Sequence, residues 1–310
     1  MLAPMQGLTN RAMRAVQSEI GRPDVLFTEY VRVSAVSRKR VCASDQRESR
    51  PVAGQPPLVV QLIGHTPSAL AAAAQLVQEQ GVRHVNLNMG CPFGRSASGA
   101  TGGAMLAAAE TIPQCLRAIR QVVSGSFSVK VRSGYEDPEQ IFSLLPVFEE
   151  TGIDFLVLHP RTVVQKYDGA ADHAITRRVV QQTVLPVIAN GDVWNADQGR
   201  TLLARSGAAG LMTGRGAIAD PWLFLRLRGE CPDMPSPGER CREIRHYLGQ
   251  LTLAYDELFC GEQQVLAKLK NVVEFFPDSC AKNWFKALRK SRSLAQFREV
   301  LADFPVREIE

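Results

Sequence analysis

No C-x-x-C pair occurs in this sequence, whose seven cysteines stand apart at 42, 91, 115, 231, 241, 260 and 280. That spacing excludes a zinc ribbon and offers no disulfide framework, so reduced thiols, most of them small buried hydrophobes, are expected. No apolar run approaches the roughly 18–20 residues needed to span a bilayer, and no basic-then-apolar leader opens the chain. The expected setting is the cytoplasm, with neither membrane nor metal as a partner. Nucleotide fingerprints are missing as well. No G-x-G-x-x-G follows the first strand, and the glycine-rich "GATGG" (99–103) lacks the Lys-Ser/Thr of a P-loop, which argues against Rossmann and ATP sites. There are no internal repeats or low-complexity segments.

What is present fits one large domain and a smaller one: 310 residues, 45% hydrophobic and 22% charged. Short apolar strands alternate with helical patterns over residues 2–216. The candidate strands are 2–5, 25–30, 58–64, 84–90, 127–134, 154–161, 185–192 and 208–216, with helices such as 66–81 and 195–207 between them. Near-continuous Val/Ile/Leu strands joined by helices indicate a parallel sheet covered on its outer face. Eight such units predict an α/β fold, a (β/α)₈ TIM barrel. The proline-rich "GECPDMPSPG" (229–238) then breaks the chain, and only helical periodicity follows. Residues 1–230 are expected to form the barrel and 238–310 a small all-helical domain.

Nearly every predicted strand ends in polar or small residues: Gln61, Cys91, Lys130 with Arg132, His159 with Arg161, Asn190 with Asp192, Gly214 with Arg215. In a barrel these ends meet on one face, where such enzymes keep their chemistry. The "NGD" turn (190–192) and "TGRGAIADPW" (213–222) offer backbone amides to a phosphate, although glycines also simply make tight turns. Lys130, mid-strand in "VKVRSG", would be costly inside the barrel without an anionic partner; a reduced flavin ring is one, and Gln61 could meet the same ring's pyrimidine edge. His159 is either a satisfied core histidine or, beside Arg161, functional.

The formal net charge is +5. Residues 281–298 carry Lys282, Lys286, Arg289, Lys290, Arg292 and Arg298 and no acid. A solvated helix face and a surface for a polyanion both fit that pattern.

The blocks "APMQGLTN", "VVQLIG", "LNMGCP", "VKVRSG", "HPRT", "VIANGDVW" and "LMTGRGAIADPWLF" occur in one register along the chain. In order and spacing they resemble the tRNA-dihydrouridine synthases, and the resemblance extends through the helical tail. It implies an FMN barrel followed by a tRNA-binding helical domain. NADPH (or NADH) would reduce the flavin, flavin N5 would pass hydride to C6 of a uridine, and a cysteine would protonate C5. Cys91 takes the place of that proton donor; a thiol is mostly protonated near neutrality and can serve as a general acid. Pro4, Met5, Gln6, Gln61, Lys130, His159, Asn190, Gly191, Asp192, Gly214 and Arg215 match flavin positions. Asn88 is expected to help hold the base and Arg161 to meet an RNA or flavin phosphate; Arg95 is expected to face RNA, and the charge pattern puts Lys282, Lys286, Arg289 and Lys290 on the RNA surface. The target base must leave its stack, at a cost of a few kcal/mol. "FTEYVRV" (27–33) and "ANGDVW" resemble the bacterial synthase C branch, which acts on uridine 16 of the D-loop. A monomer is expected.

Three positions depart from the family pattern: Asn86 stands for Asp, Gly94 for a Lys that Arg95 could replace, and Pro160 for a Gly, removing a backbone donor. Weakened rather than lost function is expected of Asn86, and none of the three removes an evident catalytic group. Two other readings share many of these features, an FMN barrel reducing a small pyrimidine metabolite and a catalytically impaired RNA-binding relative. Salt-sensitive RNA binding discriminates against the first, and a yellow colour against the second. A third, Cys91 as a covalent nucleophile, lacks a partnered histidine in the sequence.

Overall fold

Branched apolar residues placed every second position build strands whose two faces do different work. The computed structural model describes residues 1–93, 95–96, 99–276 and 281–303, the side chains of 95, 96 and 99 aside. The strands are β1 (Leu26–Phe27), β2 (Val31–Arg32), β3 (Leu58–Ile63), β4 (His84–Met89), the two-residue β5 (Arg95–Ser96) and β6 (Gly99–Ala100), β7 (Ser126–Arg132), β8 (Phe155–His159), β9 (Val187–Asn190) and β10 (Gly210–Met212); all but β2, β5 and β6, which the sequence pattern does not predict, lie within about two residues of predicted segments. In the main sheet the order is β1-β3-β4-β7-β8-β9-β10, all parallel, while β5 and β6 form a separate antiparallel ribbon.

Leu2 closes the ring. It bridges in parallel to Leu26 on one side and to Thr213 on the other. The Leu2 amide donates to the Val25 carbonyl at 2.9 Å, the Ala3 amide to Thr213 O at 2.9 Å, and Thr213 N to Met1 O at 3.0 Å. The expected TIM barrel is what the chain forms, with its first strand reduced to this bridge. Between β1 and β2 the register on β3 slips by one residue: Phe27 faces Val59, but Val31 faces Leu62. The extra residue is a bulge at 28–30. There the Thr28 hydroxyl accepts the Gln61 amide at 3.1 Å in place of a backbone carbonyl.

Helices cover the outer face. In α3 (Pro67–Glu79), Pro67 sits at the first turn, where its missing N–H costs nothing, and Ala69, Leu70, Ala73, Ala74 and Val77 form the buried stripe. With α4 (Ile112–Val122) and α5 (Gln140–Glu150) it packs on the outward residues Val60, Leu62, Val85, Leu87, Val129 and Val131. One contiguous apolar core results.

The chain divides into two compact units. The first holds residues 1–4, 24–193 and 199–213; the second holds 5–23, 194–198 and 214–310. In the second, α1 (Arg11–Ile20), capped by Asn10, packs with the long α10 (Pro237–Leu258), α11 (Glu262–Val273), α12 (Lys282–Lys290) and α13 (Leu294–Ala302) around Met13, Ile244, Tyr247, Leu269 and Phe285. The α10 start is a capping box: Ser236 accepts from Glu239 N, and the Glu239 side chain reaches back. The proline-rich break before it is tied down rather than loose. Buried Arg226 pairs with Asp220 at 2.9 Å and Glu243 at 2.5 Å and donates to Pro232 O at 2.5 Å. Among the described residues no helix is long and apolar enough to cross a membrane.

Candidate active site

Because Val85, Leu87, Met89, Phe127, Val129 and Val131 face the helices, their neighbours on the same strands must face inward. Those neighbours are Asn86 and Asn88 on β4 and Ser128, Lys130 and Arg132 on β7. Register then sets Gln61 beside Asn86, Asn86 beside Ser128, Asn88 beside Lys130, and Arg132 beside His159.

A ladder of amides runs across these inner positions. Asn86 Nδ2 donates to Ser128 Oγ at 2.8 Å, and Gln61 Nε2 to Asn86 Oδ1 at 2.8 Å. Asn88 Nδ2 donates to Gln61 Oε1 at 2.7 Å. The far end is Asn88 Oδ1, which accepts from Gly90 N at 3.1 Å and Cys91 N at 2.9 Å. Each amide is thereby oriented by the next, and the last one holds the cysteine loop. Gln61 is 0% exposed and both ends of its amide are engaged, so as placed it orients Asn88 and presents no surface of its own. Asn86, one of the three departures, is a donor to Ser128 and an acceptor from Gln61; an aspartate could only accept.

Two further bonds complete the loop. Arg132, 1% exposed, donates from Nε to Gly90 O at 2.8 Å and from Nη1 to Thr162 O at 2.8 Å and Lys166 O at 2.5 Å. Gly103 N donates to Cys91 O at 2.9 Å. Glycine is required there. A Cβ on Gly103 would lie 3.0 Å from Cys91 O and 2.7 Å from Val163 Cγ2, and one on Gly102, at φ +60°, 3.1 Å from Cys91 Cβ. "GATGG", which lacks a P-loop's companions, is thus the floor beneath the thiol. Cys91 itself is half-buried, whereas Cys115 and Cys241 are buried. Burial pushes the Cys115 thiol up to about 11.

Lys130 is half-buried and donates to Asn190 Oδ1 at 2.8 Å, while Asn190 Nδ2 donates to Met212 O at 2.8 Å. Loss of hydration, reinforced by the Arg132 charge and opposed by Cys91, brings its ammonium down to about 7. His159 lies on β8 opposite Arg132, with Nε2 3.1 Å from Arg161 Nη1. Gly191, at φ +122°, leaves room for that ring, since a Cβ would stand 2.8 Å from His159 Cδ2. Arg161 is 3% exposed. Its five N–H groups go to Asp168 O at 3.3 Å, His159 Nε2, Gly169 O at 2.5 Å and both Asp192 oxygens at 3.1 and 2.6 Å. No N–H remains for a phosphate, so in place of the expected phosphate contact it fixes His159 and the 190–192 turn. Ala171 N also donates to Asp192 Oδ2 at 2.8 Å. Gly94 and the side chain of Arg95 lie outside the described residues. Pro160, the third departure, accepts from Ser133 Oγ at 3.2 Å.

In the first unit, Pro4 ends the first strand. In the second, the turn 5–10 exposes Gln6, Met5 N donates to Thr9 Oγ1 at 2.8 Å, and Lys268 Nζ donates to Gly7 O at 2.9 Å. Gly214 caps the short α8 (Arg215–Ala219), and the Arg215 guanidinium lies 5.0 Å from the Trp194 ring centre. On α12, Lys282, Lys286 and Lys290 recur every fourth residue and are exposed, opposite the buried Trp284, Phe285 and Leu288. Arg289 turns inward to Val273 O at 3.4 Å and Phe276 O at 3.3 Å. A groove of about 590 Å³ lined by Arg242, Arg245, His246 and Arg298 opens on α10 and α13. Apart from Arg298, sequence reasoning missed it; the signal was the basic spacing along α10.

The barrel has the fold of morphinone reductase, with a TM-score of 0.56 and 14% identity over 77% of this chain and 88% of that one. It likewise matches an old yellow enzyme homologue from Zymomonas mobilis, with a TM-score of 0.53 at 13% identity over 76% and 87% of the two chains. The class is therefore a TIM barrel of that type. Residues 1–304 match the family model "Dihydrouridine synthase (Dus)", and the chain belongs to that family of enzymes. It is 34% identical to the tRNA-dihydrouridine(16) synthase of Haemophilus influenzae over 76% of this chain and 78% of that one. It is 31% identical to tRNA-dihydrouridine synthase B of Pseudomonas aeruginosa, over 83% and 78%.

Proposed function

We propose that this protein reduces one D-loop uridine of tRNA, uridine 16, to 5,6-dihydrouridine, with FMN as cofactor and NADPH or NADH as reductant. The observation that carries the reading is Cys91: a half-buried thiol at a strand tip whose loop is bonded at Gly90 N, Gly90 O, Cys91 N and Cys91 O, in a chain of this family. The surrounding residues suit an electron-rich ring. Among the described residues the hydrogen bond from Lys130 goes to the neutral Asn190 oxygen, and its lowered proton affinity is what an anionic neighbour would restore. Gly191 keeps the backbone bare beside His159.

Pro4, Met5, Gln6, Lys130, His159, Asn190, Gly191, Gly214 and Arg215 would hold the flavin. Held there, a reduced FMN would supply the hydride for uracil C6. Cys91 gives the balancing proton to C5 from a fixed position, a contribution of about 10²–10⁴-fold for a positioned general acid. Gln61, Arg161 and Asp192 act one bond further out, orienting Asn88 and His159. The helical region 238–310 carries the RNA surface, with Lys282, Lys286 and Lys290 facing phosphate. Uridine 16 rests on the relatives named for that position in Haemophilus influenzae and Pseudomonas putida and on the "FTEYVRV" pattern. The test is mass mapping of tRNA from cells lacking this gene, incubated with the purified protein and NADPH. A gain of two hydrogens at uridine 16 is expected; a gain at another uridine moves the position, and no gain removes the activity.

A further inference from the structure

Two aromatic rings stand exposed at the Cys91 loop where an enzyme core would hide them. Phe93, two residues after Cys91, is 65% exposed, and Tyr167 is 51% exposed. Leaving such rings in water forgoes burial worth about 25 cal/mol per Å² of apolar surface. The segment bearing Tyr167 is nevertheless built to present it. Thr162 N donates to Gln165 Oε1 at 2.7 Å, Lys166 N to Val163 O at 3.1 Å and Asp168 N to Gln165 O at 2.8 Å. Arg132 ties down the Thr162 and Lys166 carbonyls, and Lys166 holds a left-handed φ of +52°. The side-chain-free Gly103 lets Val163 and Cys91 O approach, so this segment packs against the cysteine loop. Tyr167 stands 6.5 Å from the His159 ring, with the Arg132 guanidinium 5.4 Å from its centre; Lys166 Nζ lies 5.7 Å from the Phe93 centre.

We propose that Phe93 and Tyr167 form a stacking site for an unpaired nucleobase next to the uridine that enters the Cys91 site. This rests on the RNA reading above. Exposed rings, Tyr167 on the bonded 162–168 segment and Phe93 next to the bonded Cys91 loop, match a flat base of any identity, and Lys166 complements the phosphate that a nucleotide brings and an apolar peptide does not. A base stacked there holds its neighbour out of the helix and offsets part of the unstacking cost.

The probe is a D-arm RNA hairpin carrying 2-aminopurine on one side or the other of the target uridine, titrated into the FMN-loaded protein. Wild type quenches the fluorescence of one of the two hairpins on binding. Phe93→Ala and Tyr167→Ala lose the quenching and bind about tenfold more weakly each, and Phe93→Trp restores both. Unchanged quenching and affinity in both alanine variants, from a wild type that adds two hydrogens to tRNA, overturn this site alone. So does a slower reduction of the flavin by NADPH with RNA binding intact, which gives the rings to the nicotinamide. A wild type that binds no tRNA overturns the site and the functional reading together.

Discussion

At the tip of β4 the amides and carbonyls of Gly90 and Cys91 are each met by an internal partner, whereas along α12 the ammonium groups of Lys282, Lys286 and Lys290 stand in solvent. In the proposed reaction the two regions would act by opposite means. A proton transfer depends on position to within a fraction of an ångström, and an over-determined loop is what a donor at Cys91 would need. A phosphate backbone is read through charge at longer range, where each lysine acts nearly alone and water can stay between. Arg289 marks the boundary: it belongs by sequence to the basic stretch and by structure to the packing under it.

Breaking the first region should have the larger consequence. Cys91→Ala is expected to keep fold, flavin and tRNA binding while single-turnover reduction of tRNA slows at least about 100-fold. Unaltered turnover would remove Cys91 from proton delivery. Arg132→Met strips the donors from the buried Gly90 and Thr162 carbonyls and from the partly buried Lys166 carbonyl, and urea denaturation should show a loss of about 3 kcal/mol. On α12, Lys286→Ala with Lys290→Ala should weaken tRNA binding and lower the slope of log K against log salt by about two. Arg289→Ala should leave that slope unchanged and cost stability instead, which sharpens the contrast within one helix turn.

A pH-dependent effect is set by Lys130. Its folded value, about 7, lies below the ordinary lysine value of 10.5, so between these the unfolded chain binds more protons. Stability of the flavin-free protein should therefore rise with pH across that window through this group, and be reduced below it. Lys130→Met should flatten the rise, as pH-dependent urea midpoints would report. The smallest change expected is Asn86→Asp. The ladder keeps its Gln61 bond, and the Ser128 hydroxyl can turn to donate, so turnover should shift by no more than a few fold.

Much of this was legible before any coordinates. Alternating or continuous Val/Ile/Leu runs place β3, β4, β7, β8 and β9 to within a residue or two, because a strand buried on both faces admits few other residues. Pro67 and the Ser236–Glu239 box mark helix starts by local chemistry alone. What local sequence does not carry is pairing across distance. That Asn88 turns its oxygen to the Cys91 loop follows from Gln61 on the neighbouring β3, itself held through Asn86 by Ser128 on β7. Arg161 reads as a phosphate ligand until Asp192, far along the chain, takes both its terminal nitrogens. The placing of residues 5–23 with 214–310 in one unit likewise depends on contacts such as Gln17 to the Tyr247 hydroxyl, 230 residues apart.

The most direct test of the central claim, that a thiol fixed at the barrel mouth completes the reduction of a tRNA uridine, is nucleoside-resolved mass mapping of unmodified tRNA incubated with NADPH and either wild-type protein or Cys91→Ala. The account predicts two added hydrogens at uridine 16 with the wild type and almost none with the variant, both proteins yellow and both binding tRNA. Equal gain from the two proteins would contradict it.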